Sequence, residues 1–214
     1  MIPRTLTFIF TLKCNIRCRH CSLNAHPLRQ EVFKEQQILS LLDQAYDIPS
    51  IECVVFTGGE PTLYPNLLGK CIEYASKQGF RTRVVTNAWW AYSYEKAYRF
   101  LDELRSKGLD ELCVSYSDFH ADYIPLTNIV NAVRAAIDLN IKIALGIVLY
   151  RGCRTTASVL EAELRKAGLS EHELCSKSWF TTATSQTWKS CIARTSAELA
   201  QFLLKSFCKK ASTY

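Results

Sequence analysis

Short apolar runs alternate with amphipathic stretches along this chain, and that rhythm leaves few folds open. β-Branched and aromatic runs recur at residues 5–10, 51–56, 81–86, 111–116 and 141–150. Between them, apolar residues fall at helical spacing. Ile38, Leu41, Leu42 and Ala45 share one face, as do Leu67, Leu68, Cys71, Ile72 and Ala75. Ala97, Phe100, Leu101 and Leu104 form a third stripe, and Ile129, Val130, Val133, Ala136 and Ile137 a fourth. Gly79, Gly108 and Gly168 stand just past helical segments, where a C-terminal cap belongs. Ser158-Val159-Leu160-Glu161 reads as a capping box opening a fifth helix. Repeated strand–helix units build parallel sheets covered by helices. Periodicity alone does not separate a doubly wound sheet from a barrel.

The chain is long enough, at 214 residues, for one domain with a real core, and 48% hydrophobic content is ordinary for a globular protein. Its net charge of +6 comes from dispersed residues rather than a run, so no nucleic-acid footprint is expected. No run approaches the length of a membrane-spanning helix. Residues 6–12 are apolar and end at Cys14, but Lys13 occupies the place where a lipoprotein cleavage site needs a small residue. They read better as a first strand. Ten cysteines without an export signal point to a reducing cytoplasm with free or metal-bound thiols.

Three of those cysteines carry the chemistry. Cys14, Cys18 and Cys21 lie in a CxxxCxxC pattern directly after the first apolar run. Thiolates this close can hold an iron–sulfur cube, but three leave one iron without a protein ligand. Clusters that only carry electrons usually have four cysteine ligands. An open metal position is what activates a bound molecule, as in catalytic zinc sites. A second motif, Gly58-Gly59-Glu60-Pro61, follows the second run. Paired glycines let backbone approach a ligand closely, and a carboxyl group nearby suits an ammonium.

Together, in this order and one strand–helix unit apart, the two motifs resemble those of the radical S-adenosylmethionine (SAM) enzymes. The resemblance implies a partial six-unit (β/α) TIM-type barrel over residues 1–170. It implies a [4Fe-4S] cluster on Cys14, Cys18 and Cys21, with SAM as a second cofactor chelating the open iron. Reductive cleavage of SAM would give a 5′-deoxyadenosyl radical that abstracts hydrogen from a substrate. The 58–60 turn would contact the SAM amino group, and His20 would lie against its adenine. Asn87, after the third strand, and Ser115, at the end of the fourth, match polar positions near SAM. Asp118 and His120 are the catalytic candidates on the substrate side, with His120 suited to proton transfer by its near-neutral pKa. A flavodoxin or ferredoxin would supply the electron. An open barrel side would admit a peptide or protein substrate.

Several residues keep two readings. Asn87 is also a common turn residue, and His20 and His120 are also ordinary loop histidines. Trp89 and Trp90 either wall a dry cavity or pack beneath a helix. Arg151 and Arg154 either meet an anionic substrate or are solvated. Gly146-Ile147-Val148 matches the family's adenine-contacting strand only in part. Cys53, Cys71 and Cys113 read as small hydrophobes. Cys153, Cys175, Cys191 and Cys208 lack the spacing of an auxiliary cluster.

Residues 171–214 depart from the rhythm. Thirteen of the last forty residues are Ser or Thr, and 178–182 is a poor candidate for the sixth strand. A final helix is expected over 197–209. This divergent segment leaves three alternatives: a native element, a truncation or an altered reading frame. Two functional alternatives remain beside the enzyme. One is an inactive family member. The other is a non-enzymatic iron–sulfur or zinc protein with His20 or His26 as a fourth ligand.

Overall fold

A computed structural model of the protein describes residues 2–169 and the strand Ser178–Thr184. The expected final helix, Cys175, Cys191 and Cys208 lie outside the described residues. Each apolar run becomes a strand: β1 (Thr5–Thr11), β2 (Cys53–Gly58), β3 (Arg81–Thr86), β4 (Glu111–Ser115) and β5 (Lys142–Leu149). Each stripe becomes a helix: α1 (Glu35–Tyr46), α2 (Pro65–Lys77), α3 (Tyr94–Ser106) and α5 (Leu126–Asp138), with a short α4 (Asp118–Ala121) after β4. The last described helix is α6 (Ala157–Lys166). Its cap is Thr156, whose hydroxyl accepts from Val159 N–H at 3.3 Å, and not the expected Ser158, which lies exposed in the first turn.

The poorest expected strand also forms. Residues 178–184 make β6 (Ser178–Thr184), parallel to β5 from Ile143↔Ser178 to Leu149↔Thr184. A parallel ladder is held by main-chain bonds, and threonine suits a pleated surface, so apolar alternation is not required.

All neighbouring strands are parallel, and their order is β1-β2-β3-β4-β5-β6. That order decides what periodicity could not. A doubly wound sheet reverses its strand order at a switch point. Here each strand adds on the same side of the last, as in a barrel wall. No β1–β6 pairing closes the wall among the described residues. With crossovers of one hand, the helices stack on a single face.

Side-chain alternation shows that face. Phe8, Phe10, Val54, Phe56, Val84, Leu112, Val114, Ile143 and Leu145 are buried beneath the helices. Phe56 ties β1 to β2 by stacking on Phe8 at 5.8 Å and meeting Phe10 edge-on at 6.2 Å. The opposite, inner face carries Thr57, Arg83, Val85, Cys113, Ser115 and Gly146, all half-buried. At its amino end the Arg83–Glu111 ion pair, at 2.9 Å, borders a cavity of about 130 Å³. No described helix is long and apolar enough to cross a membrane.

The carboxyl end of β1 is irregular. Its register with β2 shifts between Ile9 and Thr11, so Thr11 pairs with Gly58. Such a bulge redirects the chain next to a site. Gly58 has φ +134°, and a Cβ there would lie 2.4 Å from the Thr11 carbonyl oxygen. A Cβ on Gly59 would lie 2.2 Å from the Lys13 carbonyl oxygen. Both neighbours are backbone and cannot swing aside. We therefore expect Gly59→Ala to lower unfolding stability by about 1–3 kcal/mol, the range of an overpacked interior. Chemical denaturation of the two proteins checks this.

Candidate active site

The cysteine loop is built as a return on its own stem. Thr11 bridges to Val32 and Lys13 to His26, and Leu12 N–H donates to the Glu31 carbonyl at 2.9 Å. Inside the loop, Cys21 N–H donates to the Cys18 carbonyl at 3.1 Å, and Ala25 N–H to the Cys21 sulfur at 3.4 Å. Ile16 and Ala25 are buried in the core and anchor the loop from below. Tyr123 holds it from the side, its hydroxyl donating to the Arg17 carbonyl at 2.9 Å.

Cys14, Cys18 and Cys21 are free thiols close enough to influence one another. Burial pushes the Cys14 thiol up to about 11 and, with the nearby Cys14 and Cys21, the Cys18 thiol up to about 12. Metal ligation must therefore displace their protons. Among the described residues no three His, Cys, Asp or Glu side chains converge as a single ion requires. A cube takes its cysteine ligands on separate irons and does not need that convergence. His26, one of the two histidines considered as a fourth zinc ligand, has its Nδ1 accepting from Leu28 N–H at 3.3 Å.

The Gly-Gly-Glu turn is fastened to this loop. Gly59 N–H donates to the Thr11 carbonyl at 2.6 Å and Glu60 N–H to the Lys13 carbonyl at 2.9 Å. The close approach that the glycines permit is thus to the stem of the cysteine loop. Glu60 corrects a second expectation. Its carboxylate is fully buried and engaged inside the protein rather than presented to an ammonium. It accepts from Thr62 N–H at 3.1 Å, Thr62 Oγ1 at 2.6 Å, Thr86 Oγ1 at 2.9 Å and Asn87 N–H at 2.8 Å. Burial pushes its carboxyl up, and these donors counter part of that rise.

Trp89 and Trp90 belong to the same network. Trp89 Nε1 donates to Thr62 Oγ1 at 3.0 Å and Trp90 Nε1 to Thr86 Oγ1 at 3.1 Å. Trp90 is buried against Phe100, with ring centroids 4.5 Å apart, which is the packing reading of that residue. Ala88, just before the two tryptophans, has φ +58°, a strained conformation for a residue with a Cβ. Asn128 holds it there, donating to the Ala88 and Trp89 carbonyls at 3.3 and 3.0 Å.

Asn87 itself is buried beside the cysteine loop, its Nδ2 lying 2.9 Å from Asn15 Oδ1 and 3.8 Å from the Cys14 sulfur. Ser115 lies half-buried on the inner face in register with Gly146, where a Cβ would sit 3.7 Å from its hydroxyl. His20 stacks on Phe119 at 4.5 Å and meets His120 edge-on at 5.2 Å. Its Nδ1 is buried without a hydrogen-bond partner, an open polar atom beside the cysteine loop. Three free thiols, an amide facing one of them and an unpartnered imidazole nitrogen together fit a cluster and a polar cofactor.

Asp118 and His120 stand differently from what their residue types suggest. Asp118 accepts from Tyr150 O–H at 2.8 Å, Arg154 N–H at 2.8 Å and Thr155 N–H at 2.7 Å. Burial pushes its carboxyl up, but these bonds outweigh it and hold the group well below the usual range. It clamps the β5–α6 loop to the end of β4. Tyr150, which the sequence reading passed over, is thereby brought beside Phe119, at 5.3 Å between rings. His120 is buried, with Nδ1 2.9 Å from Ser117 Oγ. Burial, aided by His20, lowers its pKa to about 3, so it stays neutral near pH 7. A group that weak as a base is poorly matched to proton transfer.

The depressed value has a consequence for stability. Near pH 5 the unfolded His120 is protonated and the folded one is not. Its contribution is whole above about 6.5 and is lost as pH falls toward about 3. We expect the unfolding free energy of His120→Asn to fall less steeply than wild type across that window, as denaturant titrations at stepped pH would show.

Comparison with known proteins bears on this arrangement. "Putative peptide biosynthesis protein YydG" of Bacillus subtilis (strain 168) is 23% identical over 150 residues, spanning 68% of this chain and 47% of that protein. "Antilisterial bacteriocin subtilosin biosynthesis protein AlbA" of the same organism is 30% identical over 86 residues, or 40% of this chain and 19% of that protein. The chain thus spans less than half the length of these two relatives. Among solved structures, methylornithine synthase (PylB) superposes with a TM-score of 0.61 at 14% identity, covering 86% of this chain and 53% of that one. Native anSMEcpe with bound AdoMet does so with a TM-score of 0.56 at 13% identity, covering 85% and 51%. These two show a shared fold, in keeping with the barrel wall. The sequence model of the radical SAM superfamily matches residues 8–152, which include the cysteine loop, the Gly-Gly-Glu turn, Asn87, Ser115, Asp118 and His120, and the chain belongs to that superfamily.

Proposed function

We propose that this chain is a radical SAM enzyme whose substrate is a peptide. The observation that carries the reading is the cysteine loop itself. Three free thiols sit at the carboxyl end of β1, stitched by two backbone bonds to the Gly-Gly-Glu turn at the end of β2. Ligands of parallel strand–helix folds gather at those strand ends. When bound, a [4Fe-4S] cluster supplies the electron and the open iron that split SAM to a 5′-deoxyadenosyl radical, which abstracts hydrogen from the substrate.

The chain's own residues do the rest. Cys14, Cys18 and Cys21 hold the cluster, and the buried Ile16 and Ala25 keep their loop in place. The backbone of the 58–60 turn, His20 and Ser115 orient SAM. Gly146 keeps space open beside Ser115. Asp118 fixes the β5–α6 loop, and the Phe119, His120 and Tyr150 rings exclude water from the reacting side. Arg151 and Arg154 are exposed at that rim and suit a peptide with acidic groups. Similarity to YydG and AlbA, both named for peptide or bacteriocin biosynthesis, supports the peptide class. A flavodoxin or ferredoxin in a reducing cytoplasm would supply the electron, and free thiols suit that compartment. We assign residues 1–170 to the catalytic core and 171–214 to a divergent segment whose strand β6 joins the sheet of that core.

Anaerobic reconstitution with iron and sulfide, followed by EPR of the reduced protein, tests the reading. We expect a [4Fe-4S]⁺ signal that changes when SAM is added, and 5′-deoxyadenosine in the products. A cluster indifferent to SAM, or tight zinc binding in its place, would overturn the enzyme assignment. Cys18→Ser should lose nearly all of the bound iron in the same preparation, since two remaining thiolates cannot hold the cube.

A further inference from the structure

We propose that the Asn87 side chain donates a hydrogen bond to the sulfur of Cys14 and so raises the reduction potential of a cluster held there. The inference rests on the cluster reading above and makes Asn87 a positioning residue, with the Cys14 sulfur as its target.

The orientation of the amide is determined by its neighbours. Trp89 N–H donates to Asn87 Oδ1 at 3.0 Å. A backbone N–H needs an acceptor, and only the amide oxygen can be one. The NH₂ group must therefore point the other way. Its two hydrogens meet two acceptors, Asn15 Oδ1 at 2.9 Å and the Cys14 sulfur at 3.8 Å. Cys21 receives a backbone N–H from Ala25, at 3.4 Å. Among the described hydrogen bonds, Cys14 is the one sulfur of the three reached by a side-chain donor.

The anchor and the donor are separate groups. Glu60 accepts the backbone N–H of Asn87 at 2.8 Å and so locates the residue whatever its side chain. Asn87 is 5% exposed and Cys14 7%, so the contact is shielded from water. In such surroundings a polar contact is stronger than in bulk solvent. Hydrogen bonds to cluster sulfurs are one of the means by which proteins set potentials. A donor facing the sulfur stabilises the more negative, reduced state. Losing it disfavours reduction.

The test is an EPR-monitored titration with dithionite of the reconstituted full chain without SAM, comparing wild type with Asn87→Ala and Asn87→Asp. Asn87→Ala removes the donor without adding charge and so carries the comparison of midpoints. Asn87→Asp keeps the acceptor for Trp89 N–H, so its turn should fold as in wild type, but its carboxylate charge lowers the midpoint in addition to the lost N–H. At a fixed solution potential we expect the reduced-to-oxidised ratio of Asn87→Ala to drop about tenfold, a midpoint about 59 mV more negative for one electron. Iron content should be unchanged. Coincident midpoints in wild type and Asn87→Ala would overturn the proposal and leave the cluster reading intact. A folded Asn87→Asp that holds no cluster would also overturn it, because the residue would then be needed for assembly. A wild-type protein that takes up no cluster would remove the reading beneath it.

Discussion

The buried carboxylate of Glu60 is the contact on which the site depends. Two strand ends and one loop must meet at the same place, and backbone alone does not hold them. Glu60 follows β2, and its oxygens gather the end of β3 through Thr86 and Asn87. Its own N–H joins the stem of the cysteine loop at Lys13. One residue thus connects β1, β2 and β3 at their carboxyl ends. Removing a donor from a fully buried carboxyl group leaves a polar atom unsatisfied, which costs far more than losing an exposed bond. The two indole N–H groups and the two threonine hydroxyls are arranged so that each polar atom in the network has its partner. The strained Ala88, held by Asn128, shows that the surrounding contacts impose this geometry on the chain.

Asp118 does on the other side of the mouth what Glu60 does on the first. It binds a loop that begins far along the chain, at Tyr150, and presses it against the end of β4. The aromatic rings carried by these segments then meet: His20 from the cysteine loop, Phe119 and His120 from α4, and Tyr150 from the end of β5. Two carboxylates, one expected beside SAM and one on the substrate side, therefore act as structural clamps. The groups left facing the mouth are thiols, ring faces and a half-buried serine. That composition suits radical chemistry, in which the protein's task is to hold, orient and keep dry.

Much of the fold is legible in the sequence because its signals are local. Apolar alternation and helical stripes depend on neighbours a few residues apart, so strands β1 to β5 and their helices lie within a residue or two of where the pattern puts them. The cap of α6 at Thr156 shows the limit of that reading, because Thr156 and Ser158 offer the same hydroxyl chemistry two positions apart. Strand β6 has no apolar alternation and is recruited by the ladder along β5. The cysteine loop and the Gly-Gly-Glu turn are legible for the same local reason, since their spacing within a few residues already carries the chemistry.

The sequence by itself determined the alternating elements, the three cysteines and the paired glycines. The tertiary structure decided the strand order that makes a barrel wall rather than a doubly wound sheet. It turned Glu60 and Asp118 inward and pointed the Asn87 amide at Cys14 across 73 positions of chain. It also converted His120 from a near-neutral titrating group into a neutral one. Residue type states which bonds a side chain can make. Which of them it makes depends on what burial brings within about 3 Å, and those partners are distant in sequence.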